Sequence, residues 1–177
     1  MEKKLALLLP CLLLTACGGF NEERANAFQS LSQQQQAHYW QEKKIAVLSK
    51  KLKALGAIIY TQGDENQILI SAGQIFNGNT SQVRNSAEQL FKAIAELINA
   101  ESTASVRVLT YAHYGHATER NFALTQSWAD SVVDGLRQQG LLTGLVSAQG
   151  HGSCDNIGTS SALTNRIEIH YRVDHED

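Results

Sequence analysis

Asn121-Phe-Ala-Leu124-Thr-Gln-Ser-Trp128-Ala129-Asp-Ser-Val132-Val133-Asp-Gly-Leu136 is the most informative run of residues in this chain. Asn121, Leu124, Trp128 and Val132 follow three- and four-residue steps, the spacing that lines side chains along one face of an α-helix. The run therefore predicts a helix from Asn121 to Gln139, with Gly140 as its C-terminal cap. Just upstream, Ser105 to Tyr111 alternates as a strand and places Val106 and Val108 on one face. Downstream, Leu145 to Ala148 reads as a short strand, followed by a polar, Gly-rich loop from Gln149 to Ser161. Arg166 to Val173 reads as a last strand, with Ile167, Ile169, Tyr171 and Val173 sharing a face.

Farther upstream, residues 82–99 predict a second long helix, with Val83, Ala87, Leu90, Phe91, Ile94, Leu97 and Ile98 on one stripe. Ala57 to Tyr60 and Gln67 to Ile70, joined by a Gly63-Asp64-Glu65-Asn66 turn, read as a hairpin. From His38 to Leu55, Ile45, Leu48, Leu52 and Leu55 mark a further amphipathic helix, whose other face carries Lys43, Lys44, Lys50, Lys51 and Lys53. That face is either a solvated surface or a docking surface for a partner or an acidic envelope polymer. Gly18 to Gln36 is polar and offers little to a core, so residues 17–37 read as a tether with some helix near its end. Hairpin, helix, strand, helix, strand, loop and strand together describe an α+β sandwich: a small mixed sheet with helices packed on one face.

The N-terminus carries a different message. Met1-Glu2-Lys3-Lys4 is followed by an apolar run from Leu5 to Leu14 and the small residues Thr15 and Ala16. This is the layout of a secretory signal, and the apolar run is short of the about 20 residues a membrane-spanning helix needs. Leu14-Thr15-Ala16-Cys17 resembles the lipobox of bacterial lipoproteins. The resemblance implies cleavage before Cys17, acylation of its thiol and anchoring in the outer membrane with the domain facing the periplasm. Gly18 is not the Asp that retains enterobacterial lipoproteins at the inner membrane. Two or more acyl chains hold a protein stably on a bilayer. Cys11 leaves with the signal, so Cys154 is left without a disulfide partner. Removing residues 1–16 takes away two Lys and one Glu, a net +1, and moves the formal charge from −2 to −3. Such a chain has no basic footprint for nucleic acid.

Three stretches resemble the OmpA-like C-terminal domain, the peptidoglycan-binding module of outer-membrane proteins, Pal lipoproteins and flagellar stators; together they cover residues 57–173. Ile75-Phe76 before a polar turn and helix is similar to its opening step. Asn121 to Leu136 is similar to its Asn-x-x-Leu-Ser-x-x-Arg-Ala-x-x-Val-x-x-x-Leu helix. Gly150-His-Gly152 and Asn165-Arg166-Ile167-Glu168-Ile169 are similar to its Gly-x-Gly loop and final strand. The resemblance implies a site for the diaminopimelate of the wall peptide, gripped by an Asp at the end of the central strand and by the helix Arg. A ligand bearing both an ammonium and a carboxylate calls for that pair. Here His113 stands at the Asp position and Trp128 at the Arg position, so diaminopimelate binding is expected to be weak or absent. If those two charges alone are missing, restoring them restores wall binding. Tyr111, His113, Asn121, Leu124, Trp128, Asn165 and Arg166 occupy the family's pocket positions.

Two readings of the altered site follow. In one, Tyr111, His113, Tyr114, His116 and Trp128 line an aromatic, weakly charged contact surface for a protein or glycan. In the other, Trp128 caps the fold after wall binding was lost. Neither His113 with His116 nor His151 with Cys154 has a third ligand at a zinc spacing. No hydrolase signature surrounds Cys154, so neither metal nor cofactor nor enzymatic activity is expected. Two functions stand against each other. One is a structural subunit of an envelope-spanning machine, resembling the lipoproteins of the outer-membrane core of type IVB (Dot/Icm) secretion systems and partnered by other core lipoproteins. The other is a lipoprotein tethering the outer membrane to peptidoglycan.

Overall fold

A computed structural model describes Phe28 and residues 32–114, 118–153 and 163–173. The chain divides into two compact units, Met1–Trp40 and Gln41–Asp177. In the first, the rings of Phe28, Tyr39 and Trp40 gather with centroids 5.3 to 5.4 Å apart.

Helix α1 runs Gln33–Ala54, beginning earlier than the apolar spacing predicts. The cause is a capping box: the Ser32 N–H donates to Gln35 Oε1 at 3.0 Å, and the Gln35 N–H donates to Ser32 Oγ at 3.3 Å. Strands β1 (Ile58–Gln62) and β2 (Glu65–Ser71) form the hairpin. Its turn is tighter than expected, because Gln62 pairs with Glu65 and only Gly63 and Asp64 lie between the strands. A single turn, α2 (Ala72–Ile75), follows. Helix α3 (Ala87–Ala100) starts later than residue 82. Val83 bridges Phe76, and the Arg84 N–H donates to the Ile75 carbonyl at 2.8 Å, so these backbone groups are already engaged in a loop. Then come β3 (Thr103–Tyr111), α4 (Thr118–Gln138), β4 (Leu145–Gly150) and β5 (Arg166–Val173). Gly140, at φ +86°, ends α4 as expected, with the Leu141 N–H returning to the Leu136 carbonyl at 3.0 Å.

The five strands lie in the order β1-β2-β5-β3-β4. β3 and β4 are parallel, joined through α4, and the other pairs are antiparallel, so the sheet is mixed as predicted. The strand last in sequence thus lies at the centre. Ile167, Ile169 and Tyr171 of β5 join Ile68 and Ile70 of β2 and Val106 and Val108 of β3 in one core. That core is closed by Leu90, Phe91, Ile94, Leu97 and Ile98 of α3 and by Trp128, Ala129, Val132, Val133 and Leu136 of α4. Burying each large aliphatic side chain contributes about 1.5 to 3 kcal/mol. Among the described residues, every buried hydrophobic side chain lies between Leu48 and Tyr171. The second unit therefore holds the whole of that core.

Candidate functional site

Trp128 stands where the site was expected, and it is completely buried. Its indole stacks on Phe76, with centroids 5.1 Å apart and planes within 6°. Tyr114 meets it edge-on at 6.3 Å. The indole N–H, its one polar group, donates to the Thr80 carbonyl at 2.8 Å. A large ring in a closed aromatic contact adds about 0.5 to 1.5 kcal/mol to its burial. Trp128 therefore does not line an open pocket. It fills the space between α4 and the Phe76–Thr80 loop, which is the capping role.

The neighbouring family positions clamp the strand ends. Asn121, also buried, accepts the Tyr114 N–H at 3.3 Å through Oδ1 and donates from Nδ2 to Ser153 Oγ at 2.7 Å. Asn165 Oδ1 accepts the His113 N–H at 2.8 Å. The Thr125 hydroxyl accepts the Gly152 N–H at 2.9 Å, and the Thr110 hydroxyl donates to the Thr125 carbonyl at 2.6 Å. These bonds hold the exit of β3, the start of α4 and the Gly-x-Gly loop as one piece. Leu124 is half-buried and packs on the core, whereas the side chain of His113 is exposed. Gly150 is required by closeness: a Cβ there would collide with the Gln126 backbone nitrogen and lie 2.6 Å from the Thr125 carbonyl carbon. Gly150→Ala is expected to cost about 1 to 3 kcal/mol, because a backbone must move rather than a side chain. A urea midpoint unchanged from wild type would contradict this.

Tyr111 and Arg166 meet on the sheet face opposite the helices. The guanidinium of Arg166 lies 3.9 Å from the Tyr111 ring centroid, and the His151 imidazole stacks on Tyr111 at 5.0 Å. Arg166 Nε donates to Glu168 Oε1 at 2.7 Å, and both side chains are buried. Glu168 Oε2 lies 3.1 Å from His170 Nε2, and His170 Nδ1 lies 3.3 Å from Glu65 Oε1. Arg107 completes the line with a 3.1 Å bond to the same Glu65 oxygen. Burial works to raise the Glu168 pKa, but the hydrogen bonds from His170 and Arg166 and their charges outweigh it and hold the carboxyl below its ordinary range. Elsewhere, burial lifts the Glu101 carboxyl above its ordinary range against the lowering effect of a hydrogen bond with Tyr171.

Of the sequence-predicted positions, the fold brings Tyr111, His113, Asn121, Asn165 and Arg166 to one end of the sheet and takes Trp128 into the core. Cys17, His116 and Cys154 lie outside the described residues. The ionic line through Glu168, His170, Glu65 and Arg107 was missed. Its signal is the polar half of β5, where Arg166, Glu168, His170 and Arg172 recur at every second residue beside the apolar set. Chemically, Arg166 is committed to Glu168 and Trp128 carries no guanidinium, so among the described residues these family positions do not pair a carboxylate with a free arginine. Among the described residues, no group of three or more His, Cys, Asp or Glu is placed to hold a metal ion. Nor is any described helix long and apolar enough to cross a membrane.

The sequence pattern of the OmpA family matches residues 75–169. No curated protein matches the chain. Among solved structures, the cell wall anchor of the T6SS from Pseudomonas aeruginosa is 23% identical, with 74% of this chain and 97% of that one covered at a TM-score of 0.64. The periplasmic domain of MotB from Helicobacter pylori is 16% identical, covering 68% and 84% at 0.58. The OmpA-like domain of FopA1 from Francisella tularensis is 20% identical, covering 66% and 80% at 0.53. At these identities the likeness is one of fold.

Proposed function

The chain belongs to the OmpA family, and from that premise we propose that it is a structural subunit of an envelope-spanning secretion complex. In this reading it is an outer-membrane lipoprotein, acylated at Cys17, of the DotK/IcmN kind found in type IVB systems. Its partners are the other lipoproteins of the outer-membrane core, and its domain is a packing module rather than an enzyme. The observation that carries the reading is the state of Trp128. The position from which the family's Arg reaches the wall peptide holds a buried indole, stacked on Phe76 and hydrogen-bonded to Thr80. A fold kept with a buried indole in place of the family's Arg supports a module retained for its shape. The lipobox-like Leu14-Thr15-Ala16-Cys17 supports the anchor.

A second reading, a tether to peptidoglycan, is favoured by family membership and by the likeness in fold to a cell wall anchor. Binding to isolated sacculi separates the two. The scaffold reading expects the purified chain to wash off sacculi at low salt and, from detergent-solubilised envelopes, to co-purify with other core lipoproteins. Retention through high salt, with the chain isolated as a lone lipoprotein, would overturn it in favour of the tether.

A further inference from the structure

Helix α1 supplies one face to the core and leaves the other exposed. In Gln41–Ala54, Leu48 and Leu52 are buried and Ile45 packs beside them. The Gln41 side chain donates to the Ala100 carbonyl at 2.8 Å on the same side. The outward arc beside it carries Lys43, Lys44, Lys50 and Lys51 against a single nearby acid, Glu42, while Lys53 points to another side of the helix. Lys51 makes a long ion pair with Glu96, at 3.7 Å, and both side chains stay substantially exposed. Among these lysines Val47 is 67% exposed, and Trp40, two turns before it on the same helix, is 60% exposed. Two exposed apolar side chains, Val47 and Trp40, thus stand among cationic ones, and Trp40 keeps most of its surface open beside its contacts with Phe28 and Tyr39. Cationic side chains around one or two apolar groups are what a helix lying in a lipid headgroup layer presents. Trp is the side chain most suited to that depth, with an apolar ring and a polar N–H.

We propose that the outward face of α1 docks on an anionic phospholipid surface, with Lys44, Lys50 and Lys51 over the headgroup phosphates and Trp40 and Val47 at the acyl boundary. Charge complementarity selects this occupant. From Lys43 to Lys51 the lysines present a one-signed strip about 12 Å long, from the rise of 1.5 Å per helical residue, and headgroup phosphates are a continuous anionic plane that needs no shaped pocket. The docking does not depend on acylation, so it is tested without Cys17. Residues 18–177, which retain the whole buried core described above, are mixed with vesicles of phosphatidylcholine alone or of phosphatidylcholine with phosphatidylglycerol.

The chain is expected to sediment with the anionic vesicles only, and to be released in about 1 M salt, where the screening length falls to about 3 Å. Trp128 is buried, so a blue shift of indole emission on binding reports Trp40 and is expected to vanish in Trp40→Phe. Lys44→Gln, Lys50→Gln and Lys51→Gln combined are expected to weaken binding by at least about tenfold, since each basic residue near such a surface is worth about fivefold. These side chains are exposed, and an unchanged circular dichroism spectrum verifies that the variant folds. Failure of the wild-type chain to sediment with anionic vesicles, or equal affinity of the triple variant, overturns the proposal. So does retention by sacculi that the triple variant loses, which assigns the face to an acidic wall polymer. None of these outcomes bears on whether Cys17 is acylated.

Discussion

Trp128→Ala is expected to lower the unfolding free energy by about 3 to 5 kcal/mol, read as a shift of the urea midpoint. A side chain with no exposure, stacked on Phe76 and edge-on to Tyr114, leaves a void that the surrounding helices and loop cannot close. The same substitution at a surface contact would change stability by less than about 0.5 kcal/mol. The size of the effect therefore discriminates between the capping role and an exposed binding role. Trp128→Phe keeps most of the stacking and loses the bond to Thr80, so its cost is expected near 1 to 2 kcal/mol, about that of one hydrogen bond plus a small cavity. Restoring the family's charges with His113→Asp and Trp128→Arg places a guanidinium in the cavity lined by Phe76. That pair is expected to lose stability and to gain no retention on sacculi, because an unpaired charge there is strongly penalised.

The helical face of Asn121, Leu124, Trp128 and Val132 was legible from spacing alone, but the depth of Trp128 was not. Its burial depends on Phe76 and Thr80, about fifty residues away in sequence, in a loop whose bridge to Val83 delays α3. Periodicity reports which side of a helix faces inward, and says nothing about whether the inside is filled. The family positions show the same limit. Asn121 and Asn165 were identified as pocket residues from their place in the motif, yet their amide oxygens accept the Tyr114 and His113 N–H groups and the Asn121 amide nitrogen donates to Ser153. Local signals were sufficient where the interaction is local. Gly140 ends α4 as predicted, whereas the capping pair Ser32 and Gln35 went unread in a segment whose polar composition suggested a tether. The strand face of β5 lay between these extremes. Its apolar half was readable, whereas the partners of its charged half depend on a register that places Glu65 and Arg107 beside it from two other strands.

That charged half yields the other large effect. Arg166→Met is expected to cost about 3 to 5 kcal/mol, because it leaves the Glu168 carboxylate buried with only His170 beside it. Arg166→Met combined with Glu168→Leu is expected to recover most of that loss, since removing both charges also removes the cost of burying them. A single substitution costing under about 1 kcal/mol, or a double variant no better than the single, would contradict the account. The same pair predicts an acid limb in the stability curve. The Glu168 carboxyl is held below its ordinary value of 4.5 in the folded chain, so its contribution is complete above that value and is lost as pH falls through the folded pKa. Glu101 acts with the opposite sign: its raised pKa makes its charge a cost that is relieved on acidification. Comparing wild type with Glu168→Gln across this window isolates the Glu168 contribution. The difference in unfolding free energy should shrink steadily as pH drops below 4.5. A difference that stays constant there would mean that Glu168 is already protonated in the fold, and that Arg166 is held by the Tyr111 ring and its neighbours rather than by a carboxylate.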